Sequence, residues 1–202
     1  MQPGKLLPII AGLALRECRA RIGSAVLARV MSKEMIRIMG LDPGLRRTGW
    51  AVIESDGIRL SFVQSGLITS NAGEPLAYRL RAIYDGIAGV IVSLKPREAA
   101  VEETFVNTNA RATLKLGQAR GVALLVPALK GLSVGEYPPN LIKKSVVGAG
   151  HSDKKQIQAM VRFLLPKAEF SNADEADALA IAICHANHRF SAQAMARQKI
   201  NA

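Results

Sequence analysis

The stretch IRIMGLDPGLRRTGWAVIE, residues 36–54, constrains this chain more than any other. Ile36, Ile38 and Leu41 begin a short apolar strand, Trp50 to Ile53 reads as the next, and Pro43-Gly44 supplies turn chemistry between them. The first strand ends in a carboxylate, Asp42. An acid at the mouth of a core strand is costly to desolvate unless it is paired or bound to a cation. Both fold and function therefore turn on what Asp42 meets.

The pattern beyond this hairpin is readable as far as residue 188. RLSFVQSGLIT, residues 59–69, follows an Asp56-Gly57 turn signal and predicts the third strand of an antiparallel meander. Leu76, Leu80, Ile83, Ile87 and Ile91 recur at three- and four-residue steps, which predicts a helix over 75–93 with one buried face. EAAVEETF reads as a strand ending in acid, 109–130 as a long helix, and LSVGEYPP as another strand. Residues 153–165 carry Ile157, Met160, Val161 and Leu164 as a helical stripe, and a final helix runs from about Asp174 past His185. The order βββαβαβαα predicts an α/β domain, a mixed sheet flanked by helices.

A chain of 202 residues, 49% hydrophobic, is long enough for one well-buried domain and leaves little room for two. The formal net charge of +11 points to a polyanionic partner, either nucleic acid or an acidic membrane. Cys18 and Cys184 are the only cysteines, which excludes a disulfide framework and fits a reducing cytoplasm. Residues 1–34 differ from the rest. Their apolar stretch, Leu6 to Leu15, is far short of the ~20 residues needed to cross a bilayer. They fit a secretory signal poorly too, because Arg16, Arg19 and Arg21 fall where a cleavage site should be. The expectation is a disordered or loosely helical extension, or translation from upstream of a true start at Met31 or Met35, with 35–202 as the functional domain.

Asp42 has several acidic candidates for company. Glu102 and Glu103 end a small-apolar strand and point to opposite faces, and the alternation does not say which of them faces Asp42. In NADEADALAIAICHAN, Asp174 and Asp177 share one helical face, with Glu175 turned about 100° away. Each acid also has an ordinary structural use, in a turn, at a solvated strand end or at a helix N-terminus. Taken together, acids delivered from two strand ends and one helix face in a basic protein are what a pair of Mg²⁺ ions needs. Two such ions, about 4 Å apart, can activate water and stabilise the leaving oxygen of a phosphodiester. His185 and His188 are left outside this set, because hard Mg²⁺ does not prefer imidazole.

GLDPGLRRTGWAVIE, VEETFVN, LKLGQARGVAL, KKSVVGAGHSDKKQIQAMV and ADEADALAIAICH resemble, in order and spacing, the RuvC crossover junction endodeoxyribonucleases of bacteria. The resemblance covers about Met35 to His188 and leaves the first 34 residues outside it. It implies a ribonuclease H-like fold with a mixed five-stranded sheet, and a cytoplasmic homodimer working with the RuvA and RuvB branch-migration proteins. The implied activity in recombination and repair is metal-dependent, symmetric nicking of two strands of a four-way Holliday junction, leaving 5′-phosphate and 3′-hydroxyl ends. The cofactor implied is Mg²⁺, two ions per site, with Mn²⁺ as a substitute. The family's metal ligands fall on Asp42, Glu102, Asp174 and Asp177, and its basic catalytic and DNA-binding residues on Lys143 and Lys154. Lys144 and Lys155 are adjacent and could replace them on periodicity alone. Phe105 matches an aromatic that contacts bases at the junction centre, where a ring can stack on an unpaired base. Arg111, Lys115 and Arg120 read either as phosphate contacts or as a solvated helix face.

Three other readings compete. Actin-like phosphotransferases open with a similar DPG…TG hairpin but need a second matching half. Small YqgF-type nucleases share the hairpin but lack LKLGQARG and the long final helix. A junction-binding protein without catalysis would gain nothing from carboxylates facing phosphate.

Overall fold

The computed structural model describes residues 34–103, 109–149 and 153–200, with side chains to 189. The 1–34 extension, apart from Glu34, lies outside the described residues, as does Phe105. Strands β1 (Ile36–Asp42), β2 (Arg47–Ser55) and β3 (Leu60–Thr69) form the expected meander. Helix α1 (Leu76–Leu94) leads to β4 (Glu98–Glu102), α2 (Ala110–Leu129) to β5 (Ser133–Tyr137), and the chain ends in α3 (Pro139–Val147), α4 (Lys154–Leu164) and α5 (Ala173–Ile200). The five strands lie in the order β3-β2-β1-β4-β5, antiparallel within the meander and parallel from β1 through β4 to β5.

One helix departs from expectation. Pro138 and Pro139 do not extend β5; Pro138 caps α3 and Pro139 occupies its first turn, where a missing N–H costs nothing. The β–α pattern is therefore βββαβαβααα among the described residues.

Each face of the sheet has its own core. Met39, Leu41, Val52, Ala99 and Val101 pack with Ile83, Ile87, Ala119, Ala123 and Val126 beneath α1 and α2. Ile36, Ile38, Ala51, Ile53 and Ala100 pack with Ile142, Val161, Leu179 and Ile183 of α3, α4 and α5. Strand alternation then assigns the acids, since Asp42 follows Ile36 and Ile38 onto the α5 face and Glu102 follows Ala100.

Two glycines set how closely α5 approaches. A Cβ added at Gly40 of β1 would stand 2.1 Å from the Ala178 carbonyl oxygen, and one at Gly49 of β2 would stand 2.1 Å from that of Asp174. With small Ala178 and Ala182 opposite Gly40, the helix backbone lies almost against the strands. The amino-terminal turns of α5 are thereby seated beside the end of β1.

Candidate active site

The start of α5 separates its three acids by role. Asn172 caps the helix, its side-chain oxygen accepting from the Glu175 N–H at 3.0 Å. Glu175 is buried and its carboxylate accepts from Ser65 Oγ (2.7 Å), Ser171 Oγ (3.1 Å) and the Asn172 amide. It fastens α5 to β3 and is not available for other work. Asp174 and Asp177, with Ile181 one turn on, face a cleft of about 350 Å³.

That cleft is lined by Asp42 from β1, Glu102 from β4, Asp174 and Asp177 from α5, Lys143 from α3 and Lys154 from α4. Pro139, Ile142 and Ile157 complete much of its apolar wall. Lys144 and Lys155, the neighbours that periodicity could not exclude, are exposed and stand outside the lining. Arg111 and Lys115 are exposed on α2, away from the cleft. Arg120 is committed elsewhere: its Nε donates to the Glu102 carbonyl at 3.0 Å and its guanidinium pairs with Glu136, so it braces β4 and β5 rather than meeting phosphate.

Electrostatically the cleft is overcrowded with negative charge. Burial, and then repulsion from Asp177, Glu102 and Asp174, push the Asp42 carboxyl up to about 7 against the pull of Lys154. Burial and Asp177 push Glu102 up to about 6, against Lys143 and Lys154. Burial also raises Asp177, with Asp174 adding to it and the two lysines opposing. Lys154 Nζ stands 3.9 Å from Asp177 Oδ2, a loose and largely solvated pair.

Asp174 has a different neighbour, one that sequence reading passed over. Arg47, in the first position of β2, brings its Nε to 2.7 Å from Asp174 Oδ2. The charges are in contact, yet Oδ2 is buried and accepts no hydrogen bond, because the N–H is not aimed at it. The only signal in the sequence was two adjacent arginines in the turn after Asp42.

Among the described residues, no three carboxylate, histidine or cysteine side chains converge into a ready-made cation cage. The donor set nevertheless suits a divalent cation. It offers hard oxygen ligands from four carboxylates, upward shifts at Asp42 and Glu102 caused first by burial and then by neighbouring acids, and an orphaned buried acceptor at Asp174 Oδ2.

His185, left outside the acid set, acquires clear partners. It is buried, with Nδ1 2.9 Å from the Tyr137 hydroxyl and Nε2 2.9 Å from Glu98 Oε2. Arg189 clamps the same carboxylate through two bonds of 2.9 and 2.6 Å. An ionised Glu98 can only accept, which places a proton on His185 Nε2. The cluster ties α5 to β4 and β5.

A sheet in this order, with acids carried to one cleft from the ends of β1 and β4 and from the helix against them, defines a ribonuclease H-like nuclease. The family model described as crossover junction endodeoxyribonuclease RuvC matches residues 38–185, and the chain belongs to that family. The RuvC of Rhodopseudomonas palustris (strain TIE-1) is 61% identical over 167 residues, spanning 83% of this chain and 96% of the relative. That of Methylobacterium radiotolerans is 63% identical over 154 residues, 76% of this chain and 74% of its own length. Among solved structures, T. thermophilus RuvC in complex with Holliday junction substrate matches with a TM-score of 0.72 and 29% identity, over 78% of this chain and 96% of that one. The yeast mitochondrial Holliday junction resolvase shares the fold, with a TM-score of 0.53 at 10% identity over 77% of this chain and 79% of its own. No helix among the described residues is long and apolar enough to cross a membrane.

Proposed function

We propose that this protein resolves four-way DNA junctions by hydrolysing one phosphodiester bond in each of two strands. The observation that carries the reading is the convergence of Asp42, Glu102, Asp174, Asp177, Lys143 and Lys154 on one cleft from five separate elements. The acids hold Mg²⁺ or Mn²⁺, two ions per cleft, which when bound supply a polarised water and positive charge at the leaving 3′ oxygen. Lys143 and Lys154 enter the cleft from α3 and α4, and their ammonium groups neutralise the phosphate being cut and its neighbours. Ile142 and Ile157, on the same two helices, supply part of the cleft's apolar wall. The products carry 5′-phosphate and 3′-hydroxyl ends.

Symmetric cutting needs two clefts, so the working unit is a homodimer, with Phe105 of each copy stacking on bases at the junction centre. Arg111, Lys115, Lys144 and Lys155 act, on this reading, as outlying phosphate contacts. The net charge of +11 draws the polyanion in. Residues 35–202 form the nuclease domain of a cytoplasmic protein that works alongside RuvA and RuvB, and removal of residues 1–34 leaves cleavage intact. A mobile four-way junction, labelled on each strand in turn, tests the proposal. Symmetric nicks are expected with Mg²⁺ and none with chelator, and Asp42→Asn is expected to bind the junction without cutting it. Wild-type cleavage by Asp42→Asn would overturn the proposal.

A further inference from the structure

The turn between β1 and β2 is held by groups that do not line the acidic cleft. Thr48 Oγ1 donates to the Gly44 carbonyl at 2.9 Å, Ser70 N–H to the Arg46 carbonyl at 3.2 Å, and the Ser70 hydroxyl to the Leu45 carbonyl. Arg79 of α1 adds its Nε to Ser70 Oγ at 3.0 Å and its Nη2 to the Leu45 carbonyl at 3.3 Å. A turn fastened this way holds the backbone beneath Arg46 and Arg47 in place and leaves their side chains to choose partners. Both line a second hollow of about 530 Å³ together with Gly44, Leu45 and Asp174. Asp174 is thus the wall shared by the hollow and the acidic cleft.

The side chain of Arg47 is half exposed, at 52%, while Asp174 Oδ2 is buried. The Arg47 Nε is against the carboxylate, and the half-exposed side chain also lines the hollow, where a second anion could reach it. The contact with Asp174 is close but misaligned, which leaves the oxygen's lone pairs unsatisfied. A hard divalent cation is the better partner for such an oxygen, and a phosphate is the better partner for a guanidinium, which it can engage through two N–H groups at once.

We propose that Arg47 is a positioning residue with two alternative anions: it competes with the divalent cation for Asp174, and when the cation takes that carboxylate Arg47 turns to a phosphate of the DNA strand lying over the hollow. Cation entry and grip on the strand are coupled through this one side chain. The proposal rests on the nuclease reading above, but concerns a residue outside the four acids and two lysines.

The test uses the full-length protein and two equilibrium measurements, neither of which is cleavage. The first is calorimetric titration with Mn²⁺ in the absence of DNA. Arg47→Ala is expected to bind Mn²⁺ about twofold to fivefold more tightly than wild type, the range in which a half-exposed ion pair competes. Damage to the site would weaken Mn²⁺ binding, so the sign separates competition from simple support. The second is binding of a synthetic four-way junction in Ca²⁺ and in chelator. The gain in affinity that wild type shows with Ca²⁺ is expected to shrink about threefold or more in Arg47→Ala, with Arg47→Lys between the two because it keeps the charge but not the paired donors. Unchanged or weakened Mn²⁺ binding by Arg47→Ala, or an equal loss of junction affinity in Ca²⁺ and chelator, would overturn the proposal. Wild-type protein that took up no Mn²⁺ would overturn the nuclease reading along with it.

Discussion

Glu98 and Glu102 stand at the two ends of β4, on the same face of the sheet and about 13 Å apart along the strand. Burial pushes both carboxyls up, and what surrounds them sends them in opposite directions. At Glu98, hydrogen bonds from His185 and Arg189 and the Arg189 charge outweigh burial and hold the group down at about 2. At Glu102, Asp177 adds to burial, Lys143 and Lys154 only partly oppose them, and the group sits near 6. The first carboxylate has been supplied with its cations by the fold, while the second faces another acid whose effect Lys143 and Lys154 offset only in part. A buried acid is thus held down or pushed up according to the charges set against it, and one five-residue strand carries both cases.

Substitution at the two ends should separate these roles. Glu102→Gln is expected to lower junction cleavage by about a thousandfold while leaving thermal stability equal to or above that of wild type, because it relieves repulsion. Gel quantification of nicked strands and a melting curve check the two halves. Glu98→Gln should do the reverse, costing about 3 kcal/mol of unfolding free energy in urea by leaving Arg189 and His185 facing a neutral amide. Equal destabilisation by both variants would erase the contrast. Gly40→Ala attacks the spacing that both clusters share. A methyl group 2.1 Å from the Ala178 carbonyl must push α5 away, at about 2 kcal/mol, with weaker Mn²⁺ binding as the accompanying readout.

The smallest effect expected is in pH dependence, where the two clusters have opposite signs. Glu98 has a folded value below its ordinary 4.5, so its contribution is present above that value and is lost as pH falls through about 2. Asp42 has a folded value of about 7 against an ordinary 3.8, so its contribution is full below 3.8 and is lost as pH rises through about 7. In chelator, wild-type melting temperature should therefore fall by a few degrees between about pH 4 and pH 7, and Asp42→Asn should show a shallower slope. Identical slopes would mean that Asp42 is not the crowded group described above.

Much of the scaffold was legible because local patterns and tertiary packing agree. The stripe Ile83, Ile87, Ile91 of α1 and the alternation in β1 are the residues that fill the two cores. Helix α3 was not legible, since two prolines and a nine-residue length gave it the look of a strand end followed by a loop. The acids could be listed from strand ends and helix spacing, but the choice of Glu102 over Glu103 came from the family resemblance; the α5 face reached by Glu102 is a property of the assembled sheet. Glu175 could be set off the face of Asp174 and Asp177 by helical spacing, but its bond to Ser65, 110 positions earlier, could not be read from the sequence. His185 and Glu98 lie 87 residues apart, a distance over which no periodicity carries information. Lysine choice behaved likewise, because Lys143 and Lys144 differ only in the side of α3 they occupy, and α3 itself had not been recognised.

The bonds from Thr48, Ser70 and Arg79 to the backbone of the β1–β2 turn have a consequence for nucleic-acid affinity. Loops that grip a polyanion commonly lose conformational entropy as they close on it, and that loss subtracts from the observed affinity. Here the main chain beneath Arg47 is already held by these bonds, so the phosphate proposed to dock on Arg47 would need to immobilise only the outer atoms of one side chain.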